Sequence, residues 1–168
     1  MDHNMFCFQC EQTAGCTGCT SRGVCGKDAQ TAQAQDRLTG ALIGLARAAD
    51  TSPDAGPETW QLMIEGLFAT LTNVNFDPDS LNALAGRVRA EKQRLVPDCA
   101  VCTAPCGRTG DYDLAQLWGA QEDIRSLKSL LLFGSRGMAA YAYHAMVLGY
   151  RDESVERFLS KALFAVGE

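Results

Sequence analysis

Cys7-Phe8-Gln9-Cys10-Glu11-Gln12-Thr13-Ala14-Gly15-Cys16-Thr17-Gly18-Cys19-Thr20-Ser21-Arg22-Gly23-Val24-Cys25-Gly26-Lys27 is the stretch on which the rest of the chain turns. Five of the eight cysteines fall inside it, among four glycines, and Phe8 and Val24 are its only large apolar residues. A segment of that composition has too little apolar surface to offset the entropy of ordering it. Packing alone cannot fold it; a ligand bonded to several thiolates can. Taking Cys7, Cys10, Cys19 and Cys25 as donors gives the spacing C-x2-C-x8-C-x5-C.

That spacing suits a cubane iron–sulfur cluster, which needs four thiolates converging from different directions. The close pair supplies two neighbouring corners, and the looser spacings wrap the chain around the other two. Gly15, Gly18, Gly23 and Gly26 allow positive φ and close backbone approach, so that amide N–H groups can point at sulfur. Arg22 and Lys27 supply positive charge nearby. A structural zinc site is the competing reading, although zinc usually takes two short C-x2-C knuckles and only one such pair occurs among these four cysteines. Disulfides are a third reading. Against them, a cysteine-free middle from Gly26 to Asp98 separates two cysteine-dense patches in a chain large enough to fold without staples.

Behind the loop the chain is helical. Leu38, Ala41, Leu42, Leu45, Ala46 and Ala49 line one face of a helix near 28–50, ended by Thr51-Ser52-Pro53. Trp60, Met63, Ile64, Leu67, Phe68 and Leu71 repeat the pattern, with Pro57 suited to the first turn. Asp77 is a natural N-cap ahead of Pro78, and Leu81, Leu84, Ala85, Val88 and Leu95 mark a third helix. Prolines, glycines and three cysteines from Pro97 to Gly119 read as loop. A second helical region runs from about Asp123 to Leu148, where Gly134 and Gly137 argue against one unbroken helix. Gly149 is placed to end it, and Val155, Phe158, Leu159, Ala162, Leu163 and Val166 give a last short helix.

The expected fold is therefore all-α: a cysteine-rich cluster-binding loop (1–26), a three-helix bundle (27–97), a second cysteine-containing loop (98–119) and a partial second helical bundle (120–168), all one structural unit. Two helices make a poor core without a third. Either the first bundle covers the later helices or a partner does.

Cys99-x2-Cys102-x3-Cys106 is a second tight constellation, and Cys16 is the fourth unassigned thiol. Together they are candidates for a second metal or iron–sulfur site, for zinc, or for a disulfide formed in air. His3 and His144 read as ordinary polar residues, Met138, Tyr141, Tyr143 and Met146 as packing, and Trp60 and Trp118 as core or interface. Glu11, Glu58 and Asp111 form no acid/base pair, and neither a phosphate-binding glycine loop nor a nucleophile elbow is present.

At 168 residues, 46% of them hydrophobic, the chain can bury one substantial core. A net charge of -5 without a basic cluster argues against nucleic acid as a partner. No signal peptide and no run near the roughly 20 apolar residues of a membrane span are present, so a cytoplasmic, non-membrane chain is expected.

Met5-Phe6-Cys7-Phe8-Gln9-Cys10-Glu11-Gln12-Thr13, Gly18-Cys19-Thr20 and Gly23-Val24-Cys25-Gly26-Lys27 strongly resemble the N-terminus of the hybrid-cluster proteins, also called prismane proteins or hydroxylamine reductases. Leu67-Phe68-Ala69-Thr70-Leu71-Thr72-Asn73-Val74-Asn75-Phe76-Asp77 is similar to the same family. So are Glu122-Asp123-Ile124-Arg125-Ser126-Leu127 and the run Ala139-Ala140-Tyr141-Ala142-Tyr143-His144-Ala145-Met146-Val147-Leu148-Gly149. The resemblance implies that Cys7, Cys10, Cys19 and Cys25 bind a 4Fe-4S cluster, as in the short-spaced class of the family, on an N-terminal pair of three-helix bundles. It also implies that hydroxylamine or nitric oxide is reduced at a hybrid cluster in α/β domains outside this chain. The expected function is electron transfer, with the remaining catalytic domains or a homo-oligomer partner, and a redox donor protein, as partners. A zinc-stabilised interaction domain and an iron–sulfur redox or nitrosative sensor are the alternatives.

Overall fold

The computed structural model describes residues 5–13, 17–97 and 110–168. Six helices follow in order: α1 (Ala29–Thr51), α2 (Pro57–Ala69), α3 (Pro78–Leu95), α4 (Leu114–Gly119), α5 (Glu122–Val147) and α6 (Glu153–Gly167). Among the described residues the only β pairing is an isolated antiparallel bridge between Cys7 and Cys19. The all-α expectation holds.

Local chemistry sets the helix ends. The Asp28 carboxylate accepts from the Thr31 amide at 2.8 Å to start α1, and the Asp77 carboxylate accepts from the Asp79 amide at 3.0 Å to start α3. Pro57 and Pro78 occupy first-turn positions, where a missing N–H costs nothing. Gly149 takes φ +85° just past α5, a left-handed residue of the kind that closes helices.

α1 is buried nearly all round. Besides the stripe legible in the sequence, Ala34, Ile43 and Ala48 are also inside, because neighbours surround this helix. α2 and α3 complete a three-helix bundle with it, α6 lies along α1, and α5 lies along α2. Leu132 and Ala139 of α5 and Leu159, Leu163 and Val166 of α6 join Leu42, Leu67 and Val88 in one continuous core. The first bundle thus covers the inner faces of both later helices. Leu127, Leu130 and Tyr141 remain exposed on the far side of α5, as does Leu148 just past its end.

Two readings are corrected. The stretch Pro97 to Gly119 is not wholly loop, because α4 forms at its end: the Asp113 carboxylate accepts from the Ala115 amide at 2.9 Å, and Leu114 and Leu117 are buried. α5 runs unbroken through Gly134 and Gly137. Each glycine costs about 1 kcal/mol, less than burial of Leu132 and Ala139 on the same helix returns. The backbone at 110–112 presses on α1: a Cβ on Gly40 would stand 2.2 Å from the Tyr112 carbonyl oxygen, and Gly40 O accepts from the Tyr112 amide at 3.0 Å.

Candidate metal centre

The cysteine loop sits over the N-terminal half of α1, and Cys7 is paired with Cys19. Cys7 N donates to Cys19 O at 3.0 Å and Cys19 N donates to Cys7 O at 2.8 Å. Cys7 and Cys19 are buried with Met5 and Ala32 in a small cluster apart from the main core, while Cys10 and Cys25 are half-buried. None of the four is in a disulfide. As they stand, no three His, Cys, Asp or Glu side chains among the described residues are close enough to grip a metal ion. Cys16, Cys99, Cys102, Cys106 and His3, the residues of the second candidate site and one candidate histidine, lie outside the described residues. His144 is exposed on α5, at the edge of the Phe68 ring.

The glycines divide. Gly18 and Gly26 hold φ +106° and +95°, which an L side chain rarely adopts. Gly23 is not left-handed but is a cradle: a Cβ there would stand 3.0 Å from Cys25 Sγ and 3.0 Å from Lys27 Cγ. The Gln9 amide hydrogen-bonds Cys7, one of the backbone-to-sulfur contacts expected of such a loop. Burial pushes the Cys7 thiol up, and the Lys27 ammonium and the Gln9 amide only partly oppose it. Binding at Cys7 therefore has to displace a proton.

Behind the loop lies a buried polar layer. Gln9 Nε2 donates to Ala32 O at 3.1 Å and to the Asp36 carboxylate, and Gln9 Oε1 accepts from Lys27 Nζ at 3.1 Å. Lys27, also buried, donates to Gln35, whose amide reaches Asn75 O at 2.9 Å. Arg136 of α5, 1% exposed, completes the layer. Its Nη1 donates to Gln9 O at 2.7 Å, Nη2 to Thr39 Oγ1 at 3.0 Å and Nε to Thr70 Oγ1 at 3.1 Å. Burial pushes the Asp36 carboxyl up to about 6, against the Gln9 hydrogen bond and the charges of Arg136, Lys27 and Arg37. Burial also brings Arg136 down to about 10, opposed by the charges of Asp36, Cys7 and Cys10.

Sequence reading found Lys27 as a neighbouring cation, and the structure keeps it there. Arg22, its companion in that reading, is exposed and donates to Gly26 O at 3.1 Å. Gln9, Gln35, Asp36, Thr39, Thr70 and Arg136 were not singled out. The one available signal was an arginine between small residues, Ser135-Arg136-Gly137, the single charged residue in the run 130–143 of α5. At the rim, Phe6 and Phe8 pack on Trp118 with ring centroids 4.9 and 4.6 Å away, and the Arg125 guanidinium covers the indole at 4.8 Å.

The donors present fit an iron–sulfur group in kind: four thiols on a loop with a glycine cradle, an amide aimed at sulfur and two buried cations.

The sequence pattern of the Prismane/CO dehydrogenase family matches residues 5–168. A hydroxylamine reductase of Desulfitobacterium hafniense (strain Y51) is 40% identical over 96% of this chain and 33% of its own length. "Hydroxylamine reductase 2" of Clostridium acetobutylicum is 36% identical over 96% of this chain and 35% of its own length. A hydroxylamine reductase of Methanococcus vannielii is 36% identical over 98% of this chain and 34% of its own length. The chain spans about a third of the length of the curated relatives it matches.

Proposed function

The chain belongs to the Prismane/CO dehydrogenase family, and from that premise we propose that it is an iron–sulfur electron-transfer domain in which Cys7, Cys10, Cys19 and Cys25 hold one 4Fe-4S cluster. The observation that carries this reading is the loop itself: four cysteines outside disulfides, two of them locked side by side by a backbone bridge, with buried Lys27 and Arg136 behind them. When bound, the cluster supplies a one-electron carrier. The chain's own residues orient the thiols, keep water from Cys7 and Cys19, and place positive charge where electrons add. Electrons pass from a redox donor protein toward reduction of hydroxylamine or nitric oxide at a site outside this chain. The partners in that transfer are the remaining catalytic domains of a hybrid-cluster protein, or a second copy.

Iron, sulfide and zinc per chain, measured on anaerobically purified protein, test the reading. About four irons correspond to one cluster and about eight to two; colourless, zinc-loaded protein would support the interaction-domain alternative. Cys10→Ser is expected to abolish the brown colour, and Cys16→Ser to leave it. Loss of iron from the Cys16 variant alone would overturn the ligand set. Reversible reduction without bleaching favours electron transfer over sensing.

A further inference from the structure

We propose that Arg136 is the fixed counter-cation of the metal centre, a positioning and potential-setting residue whose buried charge is matched when a negatively charged group is bound at the cysteine loop. This rests on the electron-transfer reading above.

Three observations meet at this side chain. The first is its burial: α5 leaves Leu127, Leu130 and Tyr141 open to solvent, yet turns Arg136 inward to 1% exposure. The second is its company. All three described partners, Gln9 O, Thr39 Oγ1 and Thr70 Oγ1, are neutral oxygens, and no carboxylate stands at ion-pairing distance from it among the described residues. A buried cation without a paired anion is strongly disfavoured, so one satisfied only by neutral dipoles signals a missing negative charge. The third is the local balance. Lys27 is buried as well and bonded to the neutral side-chain oxygens of Gln9 and Gln35, so two buried cations share one half-buried carboxylate, that of Asp36. Positive charge is in excess directly behind the cysteine loop.

Position follows from the same contact. Gln9 lies between Cys7 and Cys10, and its carbonyl is gripped by Arg136 at 2.7 Å. The guanidinium thereby ties the short cysteine pair to α1, α2 and α5 at once. A fixed cation beside the centre favours its more negative, reduced form and so raises the reduction potential.

The test compares wild type, Arg136→Met and Arg136→Lys, each metal-free and after anaerobic cluster reconstitution, reading reduction potential by optical titration and melting temperature in both states. Removing an unmatched buried charge is expected to leave metal-free Arg136→Met at least as stable as metal-free wild type. The same substitution is expected to lower the potential and to shrink the melting-temperature rise on loading. Arg136→Lys, which keeps the charge, is expected to keep most of both. A metal-free Arg136→Met that is less stable than wild type or fails to fold overturns the proposal. So does a loaded Arg136→Met with the wild-type potential, or a lysine variant shifted as far as the methionine one. A wild type that takes up no metal ends the electron-transfer reading and this inference together. A wild type that loads a cluster indifferent to Arg136 ends only the inference.

Discussion

Gly18 shows how tightly single residues fix the loop. It holds φ +106°, and a Cβ would stand 2.5 Å from Phe6 Cε2, a ring already packed against Trp118. Gly18→Ala therefore meets backbone strain and a ring at once, with a cost of about 1–3 kcal/mol to the loop. The expected outcome is a displaced Phe6, a changed Trp118 fluorescence and weaker cluster retention. An unchanged Trp118 spectrum with full iron content would contradict it. Lys27 and Arg136 belong to the same scale. Both are long basic side chains that ordinarily stay in water, and here both are inside because Gln9 of the loop, with Gln35, Thr39 and Thr70 behind it, offers carbonyl and hydroxyl oxygens.

At the scale of elements, α3 is pinned to the backbone that crosses α1. Asp111 accepts from Lys92 Nζ at 2.5 Å and from Arg89 Nε at 2.6 Å. Burial works against its ionisation, but the hydrogen bonds from Lys92 and Arg89 prevail and hold its carboxyl below the ordinary value of 3.8. Because the folded chain ionises this group more readily than the unfolded chain, the stabilisation is complete above pH 3.8 and disappears as pH falls through the folded value. Asp111→Asn is expected to lower stability by about 1 kcal/mol at pH 7, the scale of a partly exposed pair. The gap between variant and parent should narrow in acid and in high salt, as followed by urea denaturation. A gap that widens on acidification would refute the assignment.

For the whole molecule, the main core and the cysteine loop are separable. Among the described residues Phe8 is the loop's one contribution to the large core, while Met5, Cys7, Cys19 and Ala32 form their own small cluster. Chelating the metal from anaerobic protein is therefore expected to leave far-UV helix content nearly intact while amide protection at Met5–Lys27 collapses, seen by hydrogen exchange. Loss of both together would show that the bundle depends on the metal. No helix among the described residues is long and apolar enough to cross a membrane, and Leu127, Leu130 and Tyr141 are among the exposed apolar residues of α5.

The amino-acid order alone determined whatever depends on near neighbours. The stripe from Leu38 to Ala49, the Asp77-Pro78 start and the Gly149 stop announced three of the helices, because periodicity and capping act within a turn or two. Tertiary structure decided the rest. α4 has six residues, too few for a periodic signal, and exists because Leu114 and Leu117 find a place in the core. α5 survives two glycines because α2 and α6 bury its inner face. Arg136 meets Gln9 across 127 positions of sequence, and no local pattern can report a charge whose environment is assembled from three helices and a loop.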